Sequence, residues 1–208
     1  MQQSKDKRLK KTFVEEARRK QILKVAIDEI TTRGYKETSI QAIADKAGVS
    51  KGLLLYHFKT KKDLLSDVWT VLIDELFEHR RAKVDLKESA IDKLSTYIDA
   101  EFEFLLTHKQ KFVALFSIGI DLTSKDGKNP WAAISNERCF RYLTKIIEDG
   151  IERGEFKSVT NGAIAPIIQG AIDGIAVQWF ADPQCFSLWA CKEKLVQILD
   201  IILSVSKK

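Results

Sequence analysis

The segment from Thr38 to Asp63 constrains the fold more than any other part of this chain, because a glycine separates two short apolar stripes at helical spacing. Gly48 lies where the first helix must end, since glycine adopts a left-handed backbone at little cost. Ser50 is a favourable N-cap for the second helix. The segment therefore predicts two short helices joined by a tight turn. The first stripe consists of Ile40, Ile43, Ala44 and Ala47.

Two further features of this segment concern how its helices begin. Thr38 and Gln41 have the spacing of a capping box for the first helix, and Thr60 and Asp63 have the same spacing for a third, longer helix. Gly52 lowers the helix propensity of the second helix. That cost indicates that another molecule approaches the backbone closely at this glycine.

The second helix also carries side chains that suit a nucleic acid. Lys51, Tyr56 and His57 lie on it, and Lys61 and Lys62 follow directly. This is the layout of a helix-turn-helix, in which the second helix enters the major groove of DNA and its neighbours contact phosphates. The segment therefore predicts DNA binding, with a DNA strand as the molecule that lies against the glycine.

Residues Ile43 to Leu65 read IAxxAGVSKGxLxYHFKxKxxLL, which closely resembles the DNA-binding domain of the TetR family of bacterial transcriptional regulators. GIERGEF at Gly150 to Phe156 and IDGIAVQW at Ile172 to Trp179 are more weakly similar to the C-terminal half of many members. The resemblance implies a three-helix DNA-binding domain followed by a larger helical domain that dimerises and binds a small ligand.

By the same resemblance, most residues of the second helix of the motif, together with Lys61, lie at positions where family members contact DNA. Leu55 departs from the family pattern, because this position often holds an aromatic residue. Leucine lacks a hydroxyl for phosphate and leaves an apolar group that could meet a thymine methyl. The predicted DNA contacts are Thr38, Ser39, Ser50, Lys51, Gly52, Leu53, Leu55, Tyr56, His57 and Lys61.

The distribution of charge agrees with DNA binding. Residues 1–62 contain 16 Lys and Arg against 7 Asp and Glu, whereas residues 63–208 contain 18 against 22. A basic region supplies attraction to phosphate that does not depend on base sequence. Lys-rich segments are often merely solvated, but here the basic region coincides with the helix-turn-helix, which favours the DNA interpretation.

The chain of 208 residues has only 3 prolines and helical apolar spacing almost throughout, which predicts an all-α fold of about nine helices. We expect an N-terminal arm and helix-turn-helix domain over 1–62, and a helical regulatory and dimerisation domain over 63–208. A helix at 61–83 is shared between them and would act as a lever. Asp182 and Pro183 are a start signal for the last helix. The other helices are predicted at 14–32, 87–107, 109–123, 130–153, 161–181 and 184–206.

Several other classes of protein are disfavoured. The basic residues 1–12 lack the apolar stretch of a secretory signal and predict a disordered tail, with an arm that contacts DNA as the alternative. The uncharged run from Ser158 to Ile172 is interrupted by polar residues, Pro and Gly, which predicts a buried helix and no membrane span. The chain has an odd number of cysteines, and they are scattered along it, which predicts free thiols in a reducing cytoplasm. They are Cys139, Cys185 and Cys191.

Catalytic chemistry has no candidate motif in this sequence. His57, His79 and His108 are isolated and have no nearby Ser or Cys partner in a coherent motif. The sequence has neither a phosphate-cradling glycine loop nor metal-ligand spacing. We therefore expect no catalytic residues, no metal and no cofactor.

The last two predicted helices carry more apolar residues than an exposed helix needs. Gly170 and Gly174 lie on one helical face and would let a partner helix approach closely. Both stripes could alternatively serve the core of one chain, but the family resemblance favours a homodimer. Two identical recognition helices then suit a palindromic operator. The predicted interface residues are Ile167, Gly170, Ala171, Gly174, Leu195, Leu199 and Ile202.

Aromatic residues in the second domain permit an apolar cavity with a few polar groups, which is the usual composition of a small-molecule site. Aromatic residues at helical spacing more often form plain core. A carboxylate that faces such a cavity would favour a cationic ligand. The predicted pocket residues are Phe102, Phe116, Asp121, Trp131, Phe140, Gln169, Asp173 and Gln178.

These observations together predict a cytoplasmic, DNA-binding transcriptional regulator and not an enzyme. We expect it to bind a palindromic double-stranded DNA operator as a homodimer, to act as a repressor, and to be released by an unknown small-molecule effector. The alternative is a DNA-bound structural or interaction protein on the same scaffold without an inducer. A closed second domain that lacks a cavity would favour this alternative.

Overall fold

The computed structural model of the protein describes residues 2–122, 136–158 and 162–205, with side chains from residue 14 onward. In these ranges the chain forms nine α-helices, one π-helical turn and no β-strand beyond an isolated bridge, which confirms the all-α prediction. The helices are α1 (Gln2–Arg33), α2 (Ile40–Lys46), α3 (Lys51–Phe58), α4 (Lys61–Val84), α5 (Ala90–Thr107), α6 (Lys109–Asp121), α7 (Arg141–Glu152), α8 (Ile164–Ala181) and α9 (Leu188–Leu203), and the π-helical turn is Asn136–Phe140.

The first three helices form a small head against the N-terminal part of α4. The turn between α2 and α3 is as predicted, because Gly48 has a φ of +65°. Ser50 caps α3, and its Oγ accepts a hydrogen bond from Leu53 N at 3.1 Å. The core of the head is formed by Ile22, Ala26, Ile30, Ile43, Ala44, Leu54 and Phe58, all of them buried.

The start of α2 differs from the predicted capping box. Ser39 is the N-cap, and its Oγ accepts a hydrogen bond from Ala42 N at 3.1 Å. Thr38 is buried, and its hydroxyl instead donates to Gly34 O at 2.8 Å. Gln41 bonds to a side chain one turn further along α2. The capping-box prediction at this helix is wrong because Thr38 closes the turn that follows α1.

Helix α4 joins the head to the rest of the molecule, as predicted. Thr60 and Asp63 form a complete capping box at its start. The helix has 24 residues and contacts α1 and α3 near its beginning and α5 and α6 further along. A single continuous helix therefore transmits any rotation between the two parts. The division of the chain at residues 62 and 63 itself stays a prediction.

Helix α1 begins earlier than predicted. It starts at Gln2 and not at Val14, so the basic N-terminal segment is helical and the favoured disordered tail is not observed. The physical reason is composition, since residues 2–12 contain no proline or glycine and several Lys, Arg and Gln, which favour helix.

The C-terminal half also shows two differences in helix bounds. The last helix begins at Leu188 with Ser187 as N-cap. Asp182 instead ends α8, and its carboxylate accepts a hydrogen bond from Gln184 N in the following turn, so the start signal at Asp182 and Pro183 was wrong. The helix predicted at 130–153 is observed as the π-helical turn and α7, while residues 130–135 lie outside the described residues.

A compact turn after α7 connects it to α5 and α9. Gly154, with a φ of +70°, ends α7. Glu155 accepts a hydrogen bond from Ala90 N at 2.6 Å and so caps the start of α5. Phe156 forms the isolated bridge with Ser204 at the end of α9. Three helix termini are therefore held by one turn.

Gly150 in α7 is the packing constraint of this turn. A Cβ at this position would lie 2.7 Å from a ring carbon of Phe156 and 2.8 Å from Ala90 Cβ. We expect Gly150→Ala to lower the free energy of unfolding by about 1–3 kcal/mol through overpacking, measured by urea denaturation. Gly52→Ala is the matched control, because a Cβ there meets nothing closer than 3.9 Å. Equal stability of the two variants would contradict this packing account.

Candidate nucleic-acid interface and effector site

Helix α3 presents one exposed face to solvent while the opposite face is buried. Leu54 and Phe58 point into the head. Gly52 and Tyr56 lie one turn apart on the exposed face, and the Tyr56 side chain is 68% exposed. Lys51 in the first turn is also exposed. This face therefore combines a cation, an aromatic hydroxyl and a gap without a side chain.

The glycine on this face is not required by the fold. A Cβ built on Gly52 would have Ser50 Oγ as its nearest neighbour, at 3.9 Å. The backbone conformation at Gly52 is helical, so alanine would be accepted without strain. The absence of a side chain therefore leaves open space above the helix for another molecule.

The other predicted DNA contacts differ in accessibility. Ser39 and Ser50 are exposed and serve as N-caps, Leu53 is exposed, and Leu55 and His57 are half-buried. Two residues are engaged inside the head. Thr38 is buried, and Lys61 Nζ donates to Thr38 O at 2.6 Å.

One exposed cation on this surface was missed by the sequence reasoning. Lys59 follows α3 directly and has a φ of +42°, which makes it the one non-glycine residue with positive φ in the described parts of the chain. Only one residue separates Phe58, the last residue of α3, from Thr60, the N-cap of α4. The sequence contains a signal for this residue, because α3 must end and α4 must begin within two residues. Such a sharp turn leaves Lys59, its middle residue, exposed.

A direct contact links the head to the second domain. Tyr35 lies just after α1, and its hydroxyl donates a hydrogen bond to Asp121 at the end of α6. Burial, together with Asp121, raises the pKa of Tyr35 to about 12, so the hydroxyl keeps its proton. Lys61 Nζ lies 5.6 Å from the centre of the Tyr35 ring. Asp121 therefore belongs to the junction between the domains and not to a pocket.

The second domain has a polar centre, which we define as Arg80, Tyr97, Glu101, Cys139, Gln169 and Asp173. Arg80 Nη1 lies 2.9 Å from Glu101 Oε2 and donates to the Tyr97 hydroxyl at 2.5 Å. Arg80 Nη2 donates to Cys139 Sγ at 3.1 Å. Helices α4 and α5 and the π-helical turn therefore meet at one guanidinium.

Helix α8 completes the polar centre from the opposite side. The Tyr97 hydroxyl donates to Gln169 Oε1 at 2.7 Å, and Gln169 Nε2 donates to Asp173 Oδ1 at 2.9 Å. Glu101 is 1% exposed, and its Oε2 lies 2.9 Å from Arg80 Nη1 without a well-aligned hydrogen bond. This buried acceptor is therefore held by the charge of Arg80 and not by a well-aligned hydrogen bond.

Burial raises the pKa of both carboxyl groups in the polar centre. Burial raises the pKa of Asp173 to about 7, although the amide of Gln169 lowers it in part. Burial also raises the pKa of Glu101, against Arg80, which lowers it. The pKa of Arg80 is raised, because Glu101, Tyr97 and Cys139 together outweigh the effect of burial, so the guanidinium stays charged.

The structure brings only part of the predicted pocket together. Phe116, Gln169 and Asp173 line the space at the polar centre, whereas Asp121 lies at the domain junction and Gln178 is exposed and bonds to Gly174 O. Phe102 is buried and Phe140 half-buried, but neither lines this space. Trp131 lies outside the described residues.

The space at the polar centre is not the apolar cavity that was expected. Its volume is about 10 Å³, near the minimum that holds one water molecule. Larger grooves of about 340 Å³ between α5 and α9 and about 480 Å³ between α1, α4 and α6 are open to solvent. The second domain is therefore closed around polar groups in this structure.

Four residues of the polar centre were missed, namely Arg80, Tyr97, Glu101 and Cys139, although the sequence contains a signal for the two charged ones. Leu72 and Leu76 continue at helical spacing to Arg80, and Leu94 and Ile98 continue to Glu101, so each charge occupies a core position of its helix. The side chain of Cys139 reaches Arg80 through the π-helical turn, which spacing does not reveal.

Most of the predicted dimer residues are exposed or half-buried in the single chain. Ile167 is 61% exposed and Ile202 is 48% exposed, and a Cβ on Gly170 or Gly174 would meet nothing within 4 Å. Ala171 and Leu195 are half-buried. Leu199 is buried and serves the core of its own chain.

Within the described residues, no group of three or more His, Cys, Asp or Glu is placed to hold a metal ion. Helix α8 is long and apolar enough to cross a membrane by length and composition alone, a test that core helices of globular proteins also pass. Cys139, Cys185 and Cys191 are free thiols in this structure.

A helix-turn-helix head with an exposed second helix, joined to a helical domain, defines a class of DNA-binding regulators. Residues 22–68 match the model of bacterial regulatory proteins of the tetR family, and residues 70–202 match that of the C-terminal region of YsiA-like proteins. The chain therefore belongs to the TetR family of transcriptional regulators, which are not enzymes.

Relatives span most of the chain. It is 26% identical over 187 residues to the fatty acid metabolism regulator protein of Bacillus subtilis, and the aligned region covers 86% of this chain and 92% of that protein. It is 30% identical over 183 residues to the transcriptional regulator AcrR of Shigella flexneri, covering 82% and 81%. The crystal structure of a protein from Saccharomonospora viridis in complex with choline has a TM-score of 0.72 at 20% identity, covering 90% and 97%.

The shifted pKa of Asp173 predicts a dependence of stability on pH. Between about pH 4 and 7, Asp173 is protonated in the folded state and ionised in the unfolded state. The free energy of unfolding therefore falls as pH rises through this range, by at most about 1.4 kcal/mol per pH unit from this group. Above about pH 7 the group is ionised in both states and causes no further loss. Asp173→Asn should remove this component in urea denaturation across that range. The exposed Glu148→Gln should retain it, and an unchanged profile in Asp173→Asn would refute the assignment.

Proposed function

We propose that this protein is a cytoplasmic homodimeric repressor that binds a palindromic DNA operator and is released by a small-molecule effector. The observation that carries the proposal is the exposed face of α3, where Gly52 leaves space that the fold itself does not need. A phosphate backbone or a base edge fits such a gap beside Lys51 and Tyr56.

Charge supports the same surface. The excess of Lys and Arg is confined to residues 1–62, which contain the head. Lys51 and Lys59 flank α3 and are exposed, so they are available to phosphates. Thr38 and Lys61 act in this proposal by positioning the start of α2 against α4, because their polar groups bond to each other and to the turn after α1.

Removing the proposed contacts should weaken DNA binding without unfolding the head. We expect Lys51→Ala with Tyr56→Ala to lower operator affinity at least about tenfold, and Lys51→Ala alone to reduce the slope of log affinity against log salt by about 1. Fluorescence anisotropy at several salt concentrations measures both. Lys87→Ala, an exposed lysine of the second domain, is the control. Undiminished affinity of the double variant would disprove this assignment.

A homodimer would use the open faces of α8 and α9. Ile167, Gly170 and Gly174 leave one side of α8 apolar and free of bulky side chains near its middle. Ile198 and Ile202 extend the apolar surface along α9. Burial of such a surface against a second copy stabilises an assembly, and glycines let the two α8 helices approach closely.

Bulk at the glycines should separate the dimer and leave each chain folded. Gly170→Leu with Gly174→Leu adds side chains where one chain has nothing within 4 Å, and leucine favours helix more than glycine. We expect sedimentation velocity to show a monomer with unchanged helical circular dichroism. Ala82→Leu adds similar bulk on an exposed part of α4 and should remain dimeric. A dimeric glycine variant would exclude this interface.

The proposed response to an effector runs through α4 and α6. Helix α6 lines the polar centre with Phe112, Leu115 and Phe116, and its last residue accepts the hydrogen bond from Tyr35 in the head. A ligand that separates the helices around the polar centre would therefore displace α6 and change the position of α3. Only a ligand that binds the displaced form more tightly lowers DNA affinity, typically by 1–3 kcal/mol of coupling.

A second candidate is favoured by one observation, the closure of the polar centre to about 10 Å³. On this interpretation the protein binds DNA as a structural or interaction protein without an inducer. One relative is named for fatty acid metabolism and one solved structure of this fold contains choline, so fatty acyl compounds and organic cations are the two ligand classes to test. A compound that raises the melting temperature and lowers operator affinity would exclude the second candidate.

A further inference from the structure

The polar centre contains an imbalance of charge. Arg80 supplies one positive charge, and Glu101 and Asp173 supply two carboxyl groups. Other charged side chains on the packed elements are paired or directed elsewhere. Lys192 of α9 pairs with Asp99, Arg138 of the π-helical turn pairs with Asp74, Lys145 of α7 pairs with Asp149, and Lys109 of α6 lies over the ring of Trp179. One carboxyl group of the centre is therefore left without a cation.

The empty form meets this imbalance with a proton. Asp173 is the group that takes it, since burial raises the pKa of this carboxyl to about 7. A proton on Asp173 satisfies the charge but leaves Glu101 Oε2 with only the poorly aligned contact from Arg80, and Glu101 lines the same space. A buried acceptor without a well-aligned donor is costly, so a ligand that supplies N–H groups and a positive charge would satisfy both requirements.

The wall of the centre suits the remainder of such a ligand. Phe112 and Phe116 stack with ring centres 4.9 Å apart, and Leu115 lies between them on α6. Aromatic faces attract a cation, and the apolar wall suits an alkyl chain attached to it. Arg80 is already engaged by Glu101, Tyr97 and Cys139, so an anionic ligand would have to displace those partners.

We propose that the polar centre binds a primary ammonium group on an alkyl chain, with Glu101 and Asp173 as the recognising carboxylates. The ammonium replaces the proton of Asp173, which passes to the buffer. Because the centre has room for about one water, the alkyl chain enters only when α6 moves away from α4 and α8. This inference rests on the proposed function only for its consequence at DNA, where it identifies the effector class.

Three probes of equal chain length test the charge requirement. Hexylamine is protonated at neutral pH, hexanol is neutral and hexanoate is anionic. We expect hexylamine alone to raise the melting temperature of the full-length protein. Isothermal titration in two buffers of different ionisation enthalpy should show release of nearly one proton per ligand at about pH 6 and almost none at about pH 8.

Variants assign the site. Asp173→Asn should weaken hexylamine binding roughly tenfold or more and abolish proton release. Glu148→Gln, an exposed carboxyl group on α7, should change neither. Stabilisation by hexanoate alone, equal stabilisation by all three probes, full binding to Asp173→Asn, or no binding of hexylamine would each overturn the inference.

The outcome at DNA separates this inference from the proposed function. If hexylamine binds as described and operator affinity is unchanged, the ammonium site stands and its role as the effector site fails. If the free protein does not prefer operator to random DNA, the proposed function fails while the titration of the ligand site remains interpretable.

Discussion

The ion pair between Arg80 and Glu101 is the interaction on which the arrangement of the second domain depends. Each partner is 1% exposed, and they join α4 to α5 with 2.9 Å between Arg80 Nη1 and Glu101 Oε2. Removing a charge from water costs several kcal/mol, and loss of one partner would leave the other buried and uncompensated. The pair therefore fixes the C-terminal half of α4, and through this helix it also fixes the position of the head.

Two connections between head and second domain have different physical character. Helix α4 is covalent and stiff, and its capping box at Thr60 starts it immediately after the recognition helix. The other connection is non-covalent, because α1 packs against α6 and the Tyr35 hydroxyl donates a hydrogen bond to Asp121 at the end of α6. A displacement of α6 therefore alters the contacts of α1 and Tyr35 while α4 stays continuous, so the orientation of the head changes with α6. In a dimer, such a change of orientation would alter the distance between the two heads.

Local features could be predicted from the sequence, and features that depend on tertiary contacts could not. Gly48, Ser50 and the cap at Thr60 act within a few residues, so their roles follow from spacing alone. The role of Lys61 depends on Thr38, which is 23 residues away in the chain, and its bond to that carbonyl is invisible in the sequence. The same reason accounts for the misassignment of Asp121, whose partner Tyr35 is 86 residues away.

The closure of the polar centre favours a protein without an effector, but the composition of that centre argues against it. An apolar core of similar volume is often as stable as a buried ion pair or more stable, so stability alone gives no reason for a core that holds Arg80, Glu101 and Asp173 together. In the proposal above, such a core is neutralised by a proton in the form without ligand and by a cation in the form with ligand. Since the helices that enclose it are those that position α3, the energetic cost of the buried charges is placed where it can alter DNA binding.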